Sequence, residues 1–301
     1  MELMNKLKIL LFGLLAFSVF KVYGYEHSPF VKDLVFEDEG FQNCVLESFK
    51  SNETKLATDV LSLRCNYEAI TSLDGIEQLP NLEKLNVGFN QLTRFDLSAN
   101  TELRELRAYG NSLTELDISE NTKLSVLEVS SNALTKLDIS ANPKLRILDV
   151  SSNQLTVLNT SANGNLVSLH AGNNQLSKLD LTTNTALTGV YLIHNHLTEL
   201  NLVNNVNLYQ VYASHNRLAS LKLPVHSNLN TLLVNSNQLS AIHIEDVDKF
   251  GRVDLRNNPF NNEAREYIKS LSEALPVQWG PYKSLWGLTW DGNKGDWDFP
   301  Y

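Results

Sequence analysis

The chain has 301 residues, 43% of them hydrophobic, and a formal net charge of −9. Lysine and arginine (25) are outnumbered by aspartate and glutamate (34), and no basic stripe runs along the sequence. That balance argues against nucleic acid as a partner, because phosphate binding needs clustered cations.

Met1 to Gly24 reads as a secretory signal peptide. Lys6 and Lys8 give a positive start, Ile9 to Phe20 forms an apolar run, and Val22 and Gly24 place small residues before a cleavage point at Tyr25. The run is shorter than the roughly 20 residues a membrane helix needs. Lys21 makes its end untidy, so an uncleaved anchor is the alternative reading. No integral membrane span is expected in the mature chain, and no cysteine at the cleavage point invites a lipid. The expected location is secreted: extracellular, at the cell surface or in the periplasm.

Residues 25–59 carry no repeat. Phe41, Val45 and Phe49, with Leu46 beside them, fall on one helical face. They are expected to form an N-terminal cap, since the first turn of a repeat array would otherwise expose its core edge.

From residue 60 to 260 one phrase recurs, stated most cleanly from Leu124 to Lys144 as LSVLEVSSNALTKLDISANPK. Its first position falls at Leu82, Leu103, Leu124, Leu145, Leu166, Leu187, Leu208, Leu229 and Phe250, each step being 21 residues. An irregular copy begins at Val60, giving about ten rungs with the last truncated. Alternation in Leu127-Glu128-Val129 predicts a short strand with the leucine and valine on one side. A second extended segment, Leu137 to Ile139, follows on the return path. Serine, threonine, asparagine and aspartate crowd that path, so short strands or 3₁₀ turns are predicted there, not a full helix. One such rung buries too little to offset the entropy of ordering it, so neighbours must stack and share a core.

An unbroken asparagine column runs through Asn90, Asn111, Asn132, Asn153, Asn174, Asn195, Asn216, Asn237 and Asn258. Its amide offers both donor and acceptor to backbone groups where the chain leaves the strand. A second column (Asn100, Asn121, Asn142, Asn163, Asn184, Asn205) is expected to serve the opposite turn. It lapses at His226, so the later rungs should be less regular on the outside.

The two cysteines are Cys44 in the cap helix and Cys65 in the first rung, at the inward column that Val87 and Val129 occupy later. In an exported chain an even pair reads as a disulfide clamping cap to array. The alternative is two buried free thiols.

Spacing of this kind identifies leucine-rich repeats. The first rung, ITSLDGIEQLPNL from Ile70 to Leu82, together with the cap helix before it, resembles the opening of internalin-type bacterial repeat domains. The 21-residue rungs are similar to the subgroup of those proteins whose repeats carry a cysteine at the inward column; here only Cys65 does. The resemblance implies surface attachment and recognition of a host protein through the concave face. No wall-sorting tail or immunoglobulin-like segment is recognised after the repeats, a departure from that pattern.

Residues 261–276 are predicted to form a C-terminal capping helix, with Asn261 or Asn262 at its start and Pro276 after it. Residues 277–301 hold all four tryptophans, Trp279, Trp286, Trp290 and Trp297. They read either as an aromatic lid on the last rung or as a patch for carbohydrate or cell-envelope polymer. Asp291 to Asp296 looks like part of a calcium loop but lacks the full ligand spacing and terminal glutamate.

The expected fold is therefore a leucine-rich repeat solenoid with a curved parallel β-sheet on its concave side. Short strands or 3₁₀ turns form the convex side, and helical caps close both ends. The outward residue of each strand is free of structural duty: Arg64, Asn86, Arg107, Glu128, Asp149, His170, Tyr191, Tyr212, Leu233 and Asp254. Neighbouring positions add Tyr67, Phe89, Tyr109, Ile193, His194 and His215. Arginine, tyrosine and exposed apolar groups are the types that dominate protein interfaces, so this face is the expected ligand site. Glu128 and Asp149 have the backbone spacing of a retaining glycosidase pair. An open, wet face gives neither a reason to hold a proton, and they are expected to meet a cation of the partner. His170, His194 and His215 could approach one another, but exposed contact residues are the commoner reading. No phosphate loop, GxSxG elbow or HExxH is present. A binding protein without enzyme activity, cofactor or metal is expected, its partner a protein.

Overall fold

The computed structural model describes residues 29–50, 55–225, 228–245, 250–274, 289–291 and 296–298. The predicted signal segment, His226, Pro276 and most of the Trp-rich stretch lie outside them.

Ten three-residue strands form one parallel sheet. They are β1 (Ser62–Arg64), β2 (Lys84–Asn86), β3 (Glu105–Arg107), β4 (Val126–Glu128), β5 (Ile147–Asp149), β6 (Ser168–His170), β7 (Gly189–Tyr191), β9 (Gln210–Tyr212), β11 (Thr231–Leu233) and β12 (Arg252–Asp254). Two further strands, β8 (Glu199–Asn201) and β10 (Ser220–Lys222), lie on the outer path. There they pair with each other in parallel. Each central residue is paired in register with its counterpart one turn on, Leu85 with Leu106, Leu127 with Leu148, Val190 with Val211. These central side chains are fully buried. They join one continuous core running from Val31 to Ile268.

Side-chain amides hold the turns together. At Asn153, Nδ2 donates to Val150 O (3.1 Å) in its own rung and to Val129 O (3.0 Å) in the rung before. Its Oδ1 accepts the N–H of Leu134, again one rung back, at 3.0 Å. The same three bonds recur from Asn111 to Asn258, and Asn90 makes their equivalents with Cys65 and Ile70. Buried backbone groups that the short strands cannot pair are thereby satisfied.

The residue before each of these asparagines is left-handed: Phe89, Gly110, Ser131, Ser152, Asn173, His194, His215, Ser236 and Asn257 have φ between 52° and 65°. Only one is glycine; asparagine and histidine take this conformation more readily than most residues, while at Phe89 it costs about 1 kcal/mol or more.

The second column works differently. Asn142 Nδ2 donates to Ile118 O and to the backbone oxygen of Asn121, both at 3.0 Å. Its Oδ1, like those of Asn100, Asn121, Asn163 and Asn205, is buried without a hydrogen-bond partner among the described residues. At Asn184 the hydroxyl of Thr160, standing where other rungs carry leucine or isoleucine, donates to Oδ1 at 2.8 Å.

On the convex side the first rung has a 3₁₀ turn, Ile76–Gln78. Several later rungs turn at an aspartate whose carboxylate accepts the N–H two residues on, among them Asp96 from Ser98, Asp117 from Ser119 and Asp138 from Ser140. These backbone bonds hold the three carboxyls below their ordinary pKa. After His226, where the second asparagine column lapses, no outer strand pair follows within the repeats among the described residues. The one described strand pair of the outer path joins the last rung that carries the second-column asparagine, Asn205, to the rung in which His226 replaces it.

Helix α1 (Glu39–Phe49) stands at the N-terminal end, starting two residues before the predicted apolar face. Asp38 caps it, accepting Phe41 N–H at 2.9 Å, and its other oxygen accepts the N–H and hydroxyl of Thr71 in the first rung. Cys44 and Cys65 form a disulfide with Cα atoms 5.6 Å apart. Helix α2 (Asn262–Ala274) follows the last rung. Asn261 is its cap, accepting Ala264 N–H at 2.8 Å, and Ile268 and Ala264 are buried against the solenoid. A separate antiparallel pair, β13 (Thr289–Asp291) and β14 (Asp296–Asp298), sets Trp290 opposite Trp297.

Replacing Asn153 by Ala orphans at least two buried backbone groups and should cost about 2–4 kcal/mol in urea unfolding. Ser152→Gly at the adjoining left-handed residue should change stability by less than about 1 kcal/mol, because relief of strain offsets added chain entropy. Converting Cys44 and Cys65 together to serine should lower stability by about 3 kcal/mol, and reducing agent should reproduce the loss in the parent.

Candidate functional site

Strand alternation sends the central residue of each three-residue strand into the core and its two flanking residues to the concave face. The register therefore lines up Arg64, Asn86, Arg107, Glu128, Asp149, His170, Tyr191, Tyr212, Leu233 and Asp254 as one row across ten strands. Of the predicted contact residues Arg64, Tyr67, Phe89, His194 and His215 are exposed, and the others are half-buried save Leu233 and Asp254, which are buried. Leu233 is only 8% exposed, lying in register between Tyr212 and Asp254, itself 5% exposed and bound to Arg256. Its apolar side chain is withdrawn from water between those neighbours, so it does not belong to the accessible face.

The row falls into three parts. At the N-terminal end charged groups pair within the chain: Lys84 with Glu105 (2.7 Å), Glu105 with Arg107 (2.7 Å), and Arg107 with Glu128 (2.9 Å). Glu128, expected to await a partner's cation, is thus already matched by Arg107. Burial works against the Arg107 charge, but Glu105 and Glu128 raise its pKa overall. In the middle, Asp149 Oδ1 accepts the N–H of Ser151 at 2.9 Å. It is thereby committed to its own loop.

Beyond Asp149 the row becomes an aromatic stack. The rings of His170 and Tyr191 lie 4.0 Å apart and nearly parallel, and those of Tyr191 and Tyr212 lie 4.9 Å apart. Rings stacked along the solenoid axis cover one another's faces and present edges outward. Tyr191 uses its hydroxyl to reach Gln210 Oε1. Ser168 Oγ lies 3.0 Å from His170 Nε2. Burial lowers the pKa of His170, with Asp149 and Glu128 opposing that shift. Burial, then Tyr212, raises that of Tyr191.

The left-handed column forms a second row along the face's edge. His194 and His215 stack there at 4.4 Å, with Ile193 half-buried beside them. His170 is instead engaged with Tyr191, and no group of three His, Cys, Asp or Glu side chains converges as a metal site among the described residues. Farther toward the N-terminus Tyr67 stacks on Phe89, and Phe89 meets Tyr109 edge-on. Tyr109 also accepts a hydrogen bond from Asn66 Nδ2 at 3.1 Å.

Lys84, Glu105 and Gln210 complete the face and were not anticipated. The signal was present: each precedes an inward residue by one, so alternation puts it on the same side as Asn86, Arg107 and Tyr212.

The proton on His170 is held less tightly in the fold than in the unfolded chain, so its contribution to stability is intact above about pH 6.5 and falls away as pH drops below it. Ring-proton NMR should show a His170 midpoint below about 6.5, and His170→Gln should flatten the corresponding part of the stability profile. A midpoint at or above the ordinary value contradicts the burial seen at this ring.

No protein-family model and no curated protein matches the sequence. Solved structures do. The functional domain of InlJ from Listeria monocytogenes, described as including a cysteine ladder, is 33% identical over 79% of this chain, with a TM-score of 0.74. The match spans 54% of that domain's length. Internalin C2 of L. monocytogenes (23% identity, 76% of this chain, 97% of that one, TM-score 0.61) shares the fold. So does YopM of Yersinia pestis (24%, 76% and 69%, TM-score 0.62). In place of a cysteine ladder this chain packs valine, alanine and leucine above Cys65. It is a leucine-rich repeat protein of the internalin-like type, built on 21-residue rungs.

Proposed function

We propose that this is an exported protein that recognises a protein partner through the concave face, in adhesion or host contact, without catalysis. The observation that carries the reading is the His170–Tyr191–Tyr212 stack. The core is already supplied by Leu169, Val190 and Val211 in the same strands, so these three rings are not needed to fill it. Rigid, half-exposed tyrosines offer large contact area at small entropic cost, as interface centres do. Export is supported by the character of residues 1–24 and by a disulfide, a bond that persists in oxidising compartments. Among the described residues no helix is long and apolar enough to cross a membrane.

A second reading gives the contact to carbohydrate or envelope polymer through the tail, where Trp290 and Trp297 are register partners in an antiparallel strand pair. One experiment separates them. Immobilised mature protein is exposed to host-cell surface and bacterial envelope fractions, beside Tyr191→Ala/Tyr212→Ala and a variant lacking residues 277–301. The double variant should melt within about 1 kcal/mol of the parent and lose at least tenfold in capture, about 1.4 kcal/mol, while the deletion keeps it. Capture lost with the tail and kept by the double variant would favour the second reading.

A further inference from the structure

The N-terminal end of the concave face carries a cluster that the partner contact proposed above does not use. Tyr67 lies on Phe89 with ring centroids 4.7 Å apart and planes within 13°. Both hold left-handed backbone, φ 64° and 54°, at positions where most other rungs carry serine, asparagine, glycine or histidine. Bulky aromatic residues are costly there. The backbone beneath them is cleared: a Cβ on Gly88 would stand 2.5 Å from the Tyr109 ring, and one on Gly110 2.6 Å from the Phe89 ring. Rings inside a stack, such as Tyr191, have both faces covered. Tyr67 ends its stack and is 72% exposed, so its outer face is open.

Tyr109, the third ring, also lines a hollow of about 400 Å³ together with Arg64, Lys84, Asn86, Glu105, Arg107 and Glu128. Lys84 and Arg107 are matched by Glu105 and Glu128. Arg64 is exposed and makes no ion pair among the described residues. Three cations thus face two carboxylates, leaving one positive charge on a chain of net charge −9. The lining is otherwise rich in amide, hydroxyl and carboxylate groups.

We propose that this end of the face binds a short glycan ending in a carboxylate-bearing pyranose. An open aromatic face accepts the C–H side of a sugar ring, a lone guanidinium matches one carboxylate, and the paired charges and Asn86 serve hydroxyls. A polyanion would meet Glu105 and Glu128. An apolar peptide side chain could use Tyr67 but would leave the polar hollow unmatched. Arg64 and Tyr67 are three residues apart in one turn, a span of at most about 10 Å that two sugar units cover.

The mature protein is titrated calorimetrically with sialyllactose, a glucuronate-containing disaccharide, lactose, and an acidic peptide containing proline and tyrosine. At least one of the two acidic sugars should bind, the pair distinguishing a sialic from a uronic acid, with lactose about tenfold or more weaker. Arg64→Gln and Tyr67→Ala should each weaken that binding by about tenfold or more. Both residues are exposed, so melting should hold, and Arg64→Lys should restore part of the affinity. Tyr191→Ala/Tyr212→Ala should leave sugar binding unchanged, which keeps this site's failure distinct from failure of the protein contact. Equal binding of lactose, binding of the peptide alone, or indifference to both single variants overturns the assignment.

Discussion

The structure depends on a side-chain amide that does the work of backbone. Each three-residue strand pairs only a few groups with its neighbours. Where the chain turns out of the sheet, an inward asparagine donates to two carbonyls and accepts one N–H, and two of those three groups belong to the preceding turn. The stacking of apolar side chains supplies the driving force but is indifferent to small slips along the solenoid axis. The amide has fixed donor and acceptor ends, so it sets how one turn sits on the next.

That constraint reaches the surface. Holding the amide inward forces the residue before it into left-handed backbone, and nine rungs repeat the geometry from Phe89 to Asn257; Tyr67 shares the conformation with Glu68, not asparagine, after it. Side chains at that position are thrown to the edge of the concave face, where Tyr67 and Phe89 meet at one end and His194 and His215 near the other. Together with the outward strand residues they make two parallel rows in which neighbours come from successive rungs. Chemistry on this face is therefore composed by position along the array: ion pairs first, then aspartate, then stacked rings.

Much of this was legible in the sequence because a 21-residue period with a fixed asparagine column specifies register directly. The strand centres, the inward place of Cys65 and the row from Arg64 to Asp254 all follow from counting, and the bond to Cys44 is one of the two readings that an even cysteine pair leaves open. What counting cannot show is how side chains settle against one another. Glu128 was expected to reach for a partner, yet the arginine one strand earlier takes it. Leu233 was expected on the contact surface, yet it is withdrawn between Tyr212 and Asp254. The left-handed column could have been read from the run of glycine, serine, asparagine and histidine before each asparagine, types that tolerate positive φ, but Phe89 and Tyr67 obscure it. The paired outer strands β8 and β10 depend on local fit of the return path, which the phrase leaves open.

The central claim is that asparagine amides, more than the strands themselves, fasten each turn to the one before and so leave the concave side chains free for recognition. Native-state hydrogen exchange tests it at single residues. The N–H groups of Leu134, Leu155, Leu176 and Leu197 lie outside every strand but donate to an asparagine one rung on. They should exchange as slowly as the mid-strand amides of Leu127 and Leu148. Exchange at the rate of the exposed outer turns would contradict the claim.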